Sequence, residues 1–274
     1  MYCNLKNRAL LRVSGSEAEE FLQNQFSNDI SRLNHSHIQI NAYCQHQGKI
    51  IALFWVMRSD SSFLLSFPID LLEIVISRLK MFVIMSDVII EDVTNSFLQV
   101  GLLNEIASNG YLINKTMSLS VQSKQDDINL TINNQDEWTK ACIDSGIPEV
   151  FLSTSEKLVP QMLNLDIDEF GVNFSKGCYP GQEVVARLHY LGDAKRRLFA
   201  FTSDYEMKVG ESLFCLSSKA AKARGNRYKG SGIIINKVKY NSLFYCLGTL
   251  DIDLLSDKIT LNNEHGPQLN LIKK

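Results

Sequence analysis

The sequence predicts an α+β fold that ends in an all-strand unit. Three observations lead there. Strand and helix patterns alternate irregularly through residues 8–197. The opening reads strand, glycine turn, helix. From Leu198 onward only strand and turn patterns remain.

The pattern of each element justifies it in turn. Residues 8–13 alternate, with Ala9, Leu11 and Val13 on one face, which predicts a half-buried strand. Ser16 with Glu19 reads as a capping box, and Ala18, Phe21, Leu22 and Phe26 mark one face of the helix after it. Residues 49–57 are apolar and rich in β-branched and aromatic types. Ser59-Asp60-Ser61 is a turn, residues 63–67 a second strand, and together they predict a hairpin. Asp70 with Glu73 opens a second helix with the stripe Leu72, Val75, Ile76, Leu79 and Phe82. Strands are expected at 88–93 and 97–103. The polar stretch 118–135 is expected to hold short alternating strands such as 128–130. A short helix over 138–143 is broken by Ile147-Pro148. The segments LFAFT, SLFCL, GIIIN, LFYCLGTL and KITL then predict a small antiparallel sheet or barrel.

Bulk composition narrows the function classes. With 274 residues, 45% hydrophobic and 21% charged, the chain is an ordinary folded protein. The net charge of -2 gives no support to wholesale nucleic-acid or membrane binding. The greasiest region, 63–90, is interrupted by Pro68, Asp70, Glu73, Arg78, Lys80 and Asp87. It never reaches the run of about 18 apolar residues that a membrane helix needs. The six cysteines form no CxxC pair, so no metal site is expected. The start MYCNLKNRALLRV has no apolar core of secretory type. Reduced thiols in the cytoplasm are therefore expected.

The densest chemistry lies in KGCYPGQEVVAR, residues 176–187. Gly177 and Gly181 allow unusual backbone angles or close approach of a ligand, and Pro180 fixes a turn dihedral between them. Cys178 stands between two cations, Lys176 and Arg187, and such neighbours favour a thiolate. Glu183 can accept two hydrogen bonds from a heterocycle edge of guanine or pterin type. The plain alternative is a structural turn with an inert cysteine and a Glu–Arg pair.

KGCYPGQE resembles the KGCYxGQE signature of the YgfZ family. These are folate-binding proteins of iron–sulfur cluster assembly, similar in fold to the T protein of the glycine cleavage system. LRVSG at 11–15, then FLQNQ at 21–25 and Asn28-Asp29, resembles the family opening LxLxGxDAxxFLQGQxTND. Gln47-Gly48-Lys49 resembles its QGK turn, and PQMLNL at 160–165 its PQxxNL segment. Val185-Ala186-Arg187, Gly192 and Lys195-Arg196 resemble its VARxxxxGxxKR continuation. The resemblance covers most of residues 8–200.

That resemblance implies a fold of two interleaved α+β units around a central folate channel, spanning 1–197, and a C-terminal antiparallel β-barrel, 198–274. It implies tetrahydrofolate or a one-carbon derivative as cofactor, and Cys178 as the reactive thiol beside the channel. Trp138 falls where the family places a folate-contacting tryptophan, and an indole suits the flat face of a pterin. Arg8 stands where some members carry a second tryptophan, and its guanidinium can stack or pair with the glutamate tail. Asp144 replaces a family glutamate. Asp29, Lys49, Tyr179, Gln182, Glu183 and Arg187 complete the cofactor contacts that the resemblance implies.

The implied function is a tetrahydrofolate-binding accessory factor for assembly or repair of iron–sulfur proteins. It supports tRNA modification indirectly, through client enzymes such as radical tRNA methylthiotransferases. Where the T protein has an acidic residue after its glycine turn, this chain reads Lys49-Ile50-Ile51-Ala52-Leu53. Aminomethyl transfer needs a positioned acid–base group, so a non-catalytic or assembly-assisting role is favoured over a folate-dependent transferase or demethylase. A third reading is a basic tRNA-binding module. Residues 212–250 hold no acidic side chain, but carry Lys219, Lys222, Arg224, Arg227, Lys229, Lys237 and Lys239 with Tyr228 and Tyr240. The family role does not require direct tRNA contact.

Overall fold

Two strands, β1 (Tyr2–Asn4) and β2 (Arg8–Ser14), open the chain and enter different sheets. The computed structural model describes residues 1–274 except 85, 107–109, 125–131, 134, 193, 218–229 and 273–274. β2 joins β3 (Gln39–Cys44), β4 (Ile50–Ser59), β5 (Ser62–Pro68) and β6 (Ile89–Asp92), in the order β3-β4-β5-β2-β6. β1 pairs instead with β7 (Phe97–Leu103) and β10 (Ile132–Asn133). With β8 (Tyr111–Asn114) and β9 (Met117–Ser123) they make the order β10-β1-β7-β9-β8. The two sheets are thus interleaved in sequence.

The third unit is a closed barrel of β11 (Arg196–Ser203), β12 (Ser212–Phe214), β13 (Gly232–Tyr240), β14 (Leu243–Asp251), β15 (Ile259–Leu261) and β16 (Gln268–Leu271). Closure leaves no unpaired sheet edge there. The expected α+β class with a C-terminal barrel is what the chain adopts. The expected strands at 128–130 lie outside the described residues, as do Lys219, Lys222, Arg224, Arg227, Tyr228 and Lys229.

The β4–β5 hairpin turns at Asp60, whose φ of 46° is tolerated by a short polar side chain. All of residues 50–57 are buried, so β4 reads as a continuous apolar run and not an alternating one. Phe26, Phe54 and Phe67 meet at ring separations of 4.8 and 5.0 Å in this core. Each such buried ring contributes about 1.5–3 kcal/mol.

Four α-helices decorate the described part: α1 (Ala18–Gln25), α2 (Leu72–Lys80), α3 (Gln135–Asp144) and α4 (Gln182–Leu191). Both expected capping boxes are absent. The Ser16 hydroxyl donates to the Asp87 carboxylate at 2.6 Å, and α1 starts after Glu17 without a side-chain cap. The Asp70 carboxylate accepts from the Leu152 amide at 2.9 Å, and α2 starts after Leu71. Partners 71 and 82 positions away take the two capping groups. Phe82, expected on the buried stripe, lies beyond the end of α2 and is exposed. No helix among the described residues is long and apolar enough to cross a membrane.

Candidate functional site

The sheet that holds β2 and β5, helix α3 and the barrel meet around a cavity of about 460 Å³. Its walls include Leu5 and Arg8 from the start of the chain, Trp138 and Cys142 from α3, Glu149, and residues 236–239 of β13. Ligand pockets commonly measure roughly 300–1,000 Å³.

Arg8 forms one wall and is nearly fully engaged. Its Nε donates to Ser66 Oγ at 2.7 Å, one terminal nitrogen donates to the Ser66 carbonyl at 3.1 Å, and the other pairs with Glu149. The guanidinium also lies 3.8 Å from the centroid of the Trp55 ring. Gln99 of β7 donates to the main-chain oxygens of Arg8 and Ala9, which ties the two sheets together at this point. The guanidinium expected to be available for a glutamate tail is therefore held by Glu149 and Ser66.

Trp138 stands on the neighbouring wall. Its ring lies 6.0 Å from Trp55 at an angle of 57°. A methyl group on Gly101 would overlap the Trp138 six-membered ring, so the glycine in β7 is what lets the indole lie down on the sheet. Asn236, from the barrel, is 2% exposed, and neither its Oδ1 nor its Nδ2 has a hydrogen-bond partner. Sequence reasoning missed Asn236, Glu149 and Cys142. An asparagine inside an apolar strand, GIIIN, was the one available signal.

The KGCYPGQE segment is built separately. Asn173 Oδ1 accepts from the amides of Ser175 and Lys176 at 2.8 and 2.9 Å and bends the chain into the loop. Lys176 is buried, and its ammonium donates to the carbonyls of Gln23, Phe26 and Asn28. Burial lowers its pKa to about 8, opposed by the charge of Asp29. The expected role of Lys176 as a cation serving Cys178 is corrected: its charge is turned inward to close the FLQNQFSND turn.

Gly181 (φ 82°) caps α4 and packs on Gly48 (φ 74°) of the Gln47-Gly48-Lys49 turn. A side chain on Gly181 would strike the Gln45 carbonyl and the Gly48 backbone. Gln161 Nε2 donates to the Val185 carbonyl at 2.8 Å, which brings in the PQMLNL segment. Asn164 of that segment then bonds both ways with the Leu198 backbone and ties the loop to the barrel. The four segments matched in sequence thus converge on one loop and its helix.

The predicted site residues fall into two groups. Arg8 and Trp138 line the cavity; the others are not among its lining residues. Asp144 is exposed at the end of α3, paired with Lys140 at 2.7 Å. Lys49, Glu183 and Arg187 are exposed, Gln182 is half-buried, and Tyr179 is buried with its ring 5.3 Å from the Lys176 ammonium. Asp29 caps the turn at Ile30–Arg32, and hydrogen bonds from Ser31 hold its carboxyl below the usual range. Cys178 is exposed, whereas Cys3, Cys44, Cys142, Cys215 and Cys246 are buried. Burial pushes the Cys44 thiol up to about 12 and Cys215 to about 11. Among the described residues no group of three or more His, Cys, Asp or Glu could hold a metal ion.

Interleaved sheets, a barrel and a cavity where one sheet, α3 and the barrel meet define a chain with the fold of the glycine-cleavage T protein. The aminomethyltransferase T of Bartonella henselae superposes on all of it with a TM-score of 0.70, at 10% identity and over 84% of that chain. No protein-family model matches the sequence. An uncharacterized protein of Haemophilus influenzae is 31% identical over 77% of this chain and 78% of its own. The tRNA-modifying protein YgfZ of Colwellia psychrerythraea is 29% identical over 72% and 69%, and that of Blochmanniella pennsylvanica 24% over 85% and 81%. The chain belongs to the YgfZ family.

Proposed function

We propose that the protein binds tetrahydrofolate, or a one-carbon derivative of it, in the cavity between the β2 sheet, α3 and the barrel. In this reading it is an accessory factor for assembly or repair of iron–sulfur proteins. It supports tRNA modification through clients such as radical tRNA methylthiotransferases. Residues 1–197 serve as the folate-binding region and 198–274 as the barrel that closes it.

The observation that carries the reading is the cavity itself. A tryptophan face, a neighbouring guanidinium and an unpartnered buried amide surround a space of about 460 Å³. A flat, polar-edged heterocycle suits those walls. Trp138 supplies the stacking face and Arg8 fixes the wall beside it. Bound tetrahydrofolate would supply one-carbon or reducing chemistry.

An accessory role is favoured over aminomethyl transfer by β4. Ile50, Ile51, Ala52 and Leu53 come after the glycine turn there, all buried, and none can move a proton. Cys178 acts outside the cavity, as an exposed thiol that meets a client. It supplies one ligand, so any cluster held in passing takes its other ligands from that client.

The test is a titration of tetrahydrofolate into the pure protein, read by intrinsic tryptophan fluorescence. Trp55 and Trp138 are the two tryptophans of the chain. Saturable quenching that is lost in Trp138→Phe is the expected result. Absence of binding by the folded protein removes folate from the function.

A further inference from the structure

Strand β13 breaks step once. Its pairing with β14 shifts between Ile234 and Asn236, which makes Ile235 the extra residue of a β-bulge. Regular alternation would put residues 236 and 238 on the same face as Ile234. Ile234 packs in the barrel's own core. Past the bulge, Val238 packs in the main core instead, and Asn236 lines the cavity. The bulge takes an amide that would have pointed into the barrel and presents it to the cavity.

That amide is buried with both polar atoms unpartnered. An unpaired buried amide is costly, and a leucine would fill the place without that cost. Two other polar groups of the lining are engaged: Arg8 with Ser66 and Glu149, and the Thr139 hydroxyl with the Gln135 carbonyl. A primary amide offers a donor and an acceptor side by side. It pairs fully only with a ligand edge that presents an acceptor and a donor in the same way, as Asn does with adenine. The pterin ring of a folate has such an edge, because ring closure forces its lactam N–H and C=O onto one side. The benzoyl–glutamate amide of the same molecule is trans, with its two groups on opposite sides.

Resting on the folate reading above, we propose that Asn236 is a specificity residue that reads the lactam edge of the pterin and orients that end of the ligand toward the barrel. Its amide nitrogen donates to the 4-oxo group and its oxygen accepts from N3–H.

Calorimetric titration of the full chain tests this with three probes: tetrahydrofolate, 6-methyltetrahydropterin and p-aminobenzoylglutamate. Asn236→Leu is expected to weaken the first two about tenfold to a hundredfold and to leave the third unchanged. The ligand-free variant is expected to melt no lower than the unaltered protein, because an unpaired polar group has gone; a purely structural amide predicts the opposite. Tetrahydrofolate binding equal to that of the unaltered protein overturns the assignment alone. Equal loss of both fragments does the same, since Asn236 would then only shape the cavity. Failure of the unaltered protein to bind tetrahydrofolate removes the folate reading, and this one with it. Should Asn236→Leu not fold, Asn236→Asp, which keeps the size but loses the donor, takes its place. Misfolding of both makes the amide structural and overturns the assignment.

Discussion

Arg8 and Glu149 stand 141 positions apart and meet as an ion pair in the cavity wall. The arginine is 6% exposed and the glutamate 20%. Removing the carboxylate leaves a guanidinium buried against Trp55 without its counter-charge. Glu149→Ala is expected to lower stability by about 3 kcal/mol, read from urea unfolding. Pairing it with Arg8→Met removes the stranded charge and is expected to recover part of the loss. A single-variant cost below about 1 kcal/mol would mark the pair as no stronger than a surface one.

Lys176 gives a pH signature. Its folded pKa of about 8 lies below the unfolded value of 10.5. Between those values the unfolded chain holds the extra proton, so stability attributable to this group rises with pH across the window. It is fully present above about 10.5 and lost as pH falls through about 8. Compared with Lys176→Met, the unaltered protein is expected to gain up to about 3 kcal/mol between pH values of about 7 and 10.5. A difference that stays flat with pH would place the ammonium in a better-solvated site than its three carbonyl partners suggest.

Cys178 is expected to be the thiol that iodoacetamide labels in the folded protein. The stoichiometry is about one per chain, rising to six on unfolding. Cys178→Ser should abolish the fast label. In a strain lacking the native protein, the same variant is expected to restore little cluster-enzyme activity. Full restoration would remove the thiol from the function while leaving the fold and cavity untouched.

The strands with strong apolar patterns, such as β2, β4, β5 and β7, were legible because those patterns are local, whereas β1, β3 and β8 gave no such signal. The β4–β5 hairpin announces itself by an apolar run on either side of Ser59-Asp60-Ser61, and the barrel by repeated short apolar segments. Helix starts were not legible. Ser16 and Asp70 are good caps by type, but Asp87 and the Leu152 amide take them, and no local rule sees so far along the chain. The same limit applies to the site. Resemblance points to Trp138 and Arg8, but their wall also needs Glu149 and Asn236, which only the folded chain brings near. Lys176 misled for a related reason: its neighbours in sequence suggested a cation for Cys178, whereas its neighbours in space are three carbonyls.

The early parting of β1 and β2 also governs the order in which the molecule can be completed. Cys3 of β1 sits beside Gly101 on one side and Asn133 on the other. On a ribosome, the first strand must wait for about 100 further residues, on the order of 5–20 seconds, before either neighbour exists. The cavity waits longer still, since its first wall begins at Leu5 and its last is β13. The cavity is therefore complete only once strand β13 has joined the walls built much earlier in the chain. A chain cut short before the barrel has no finished cavity, whatever its two sheets have already built.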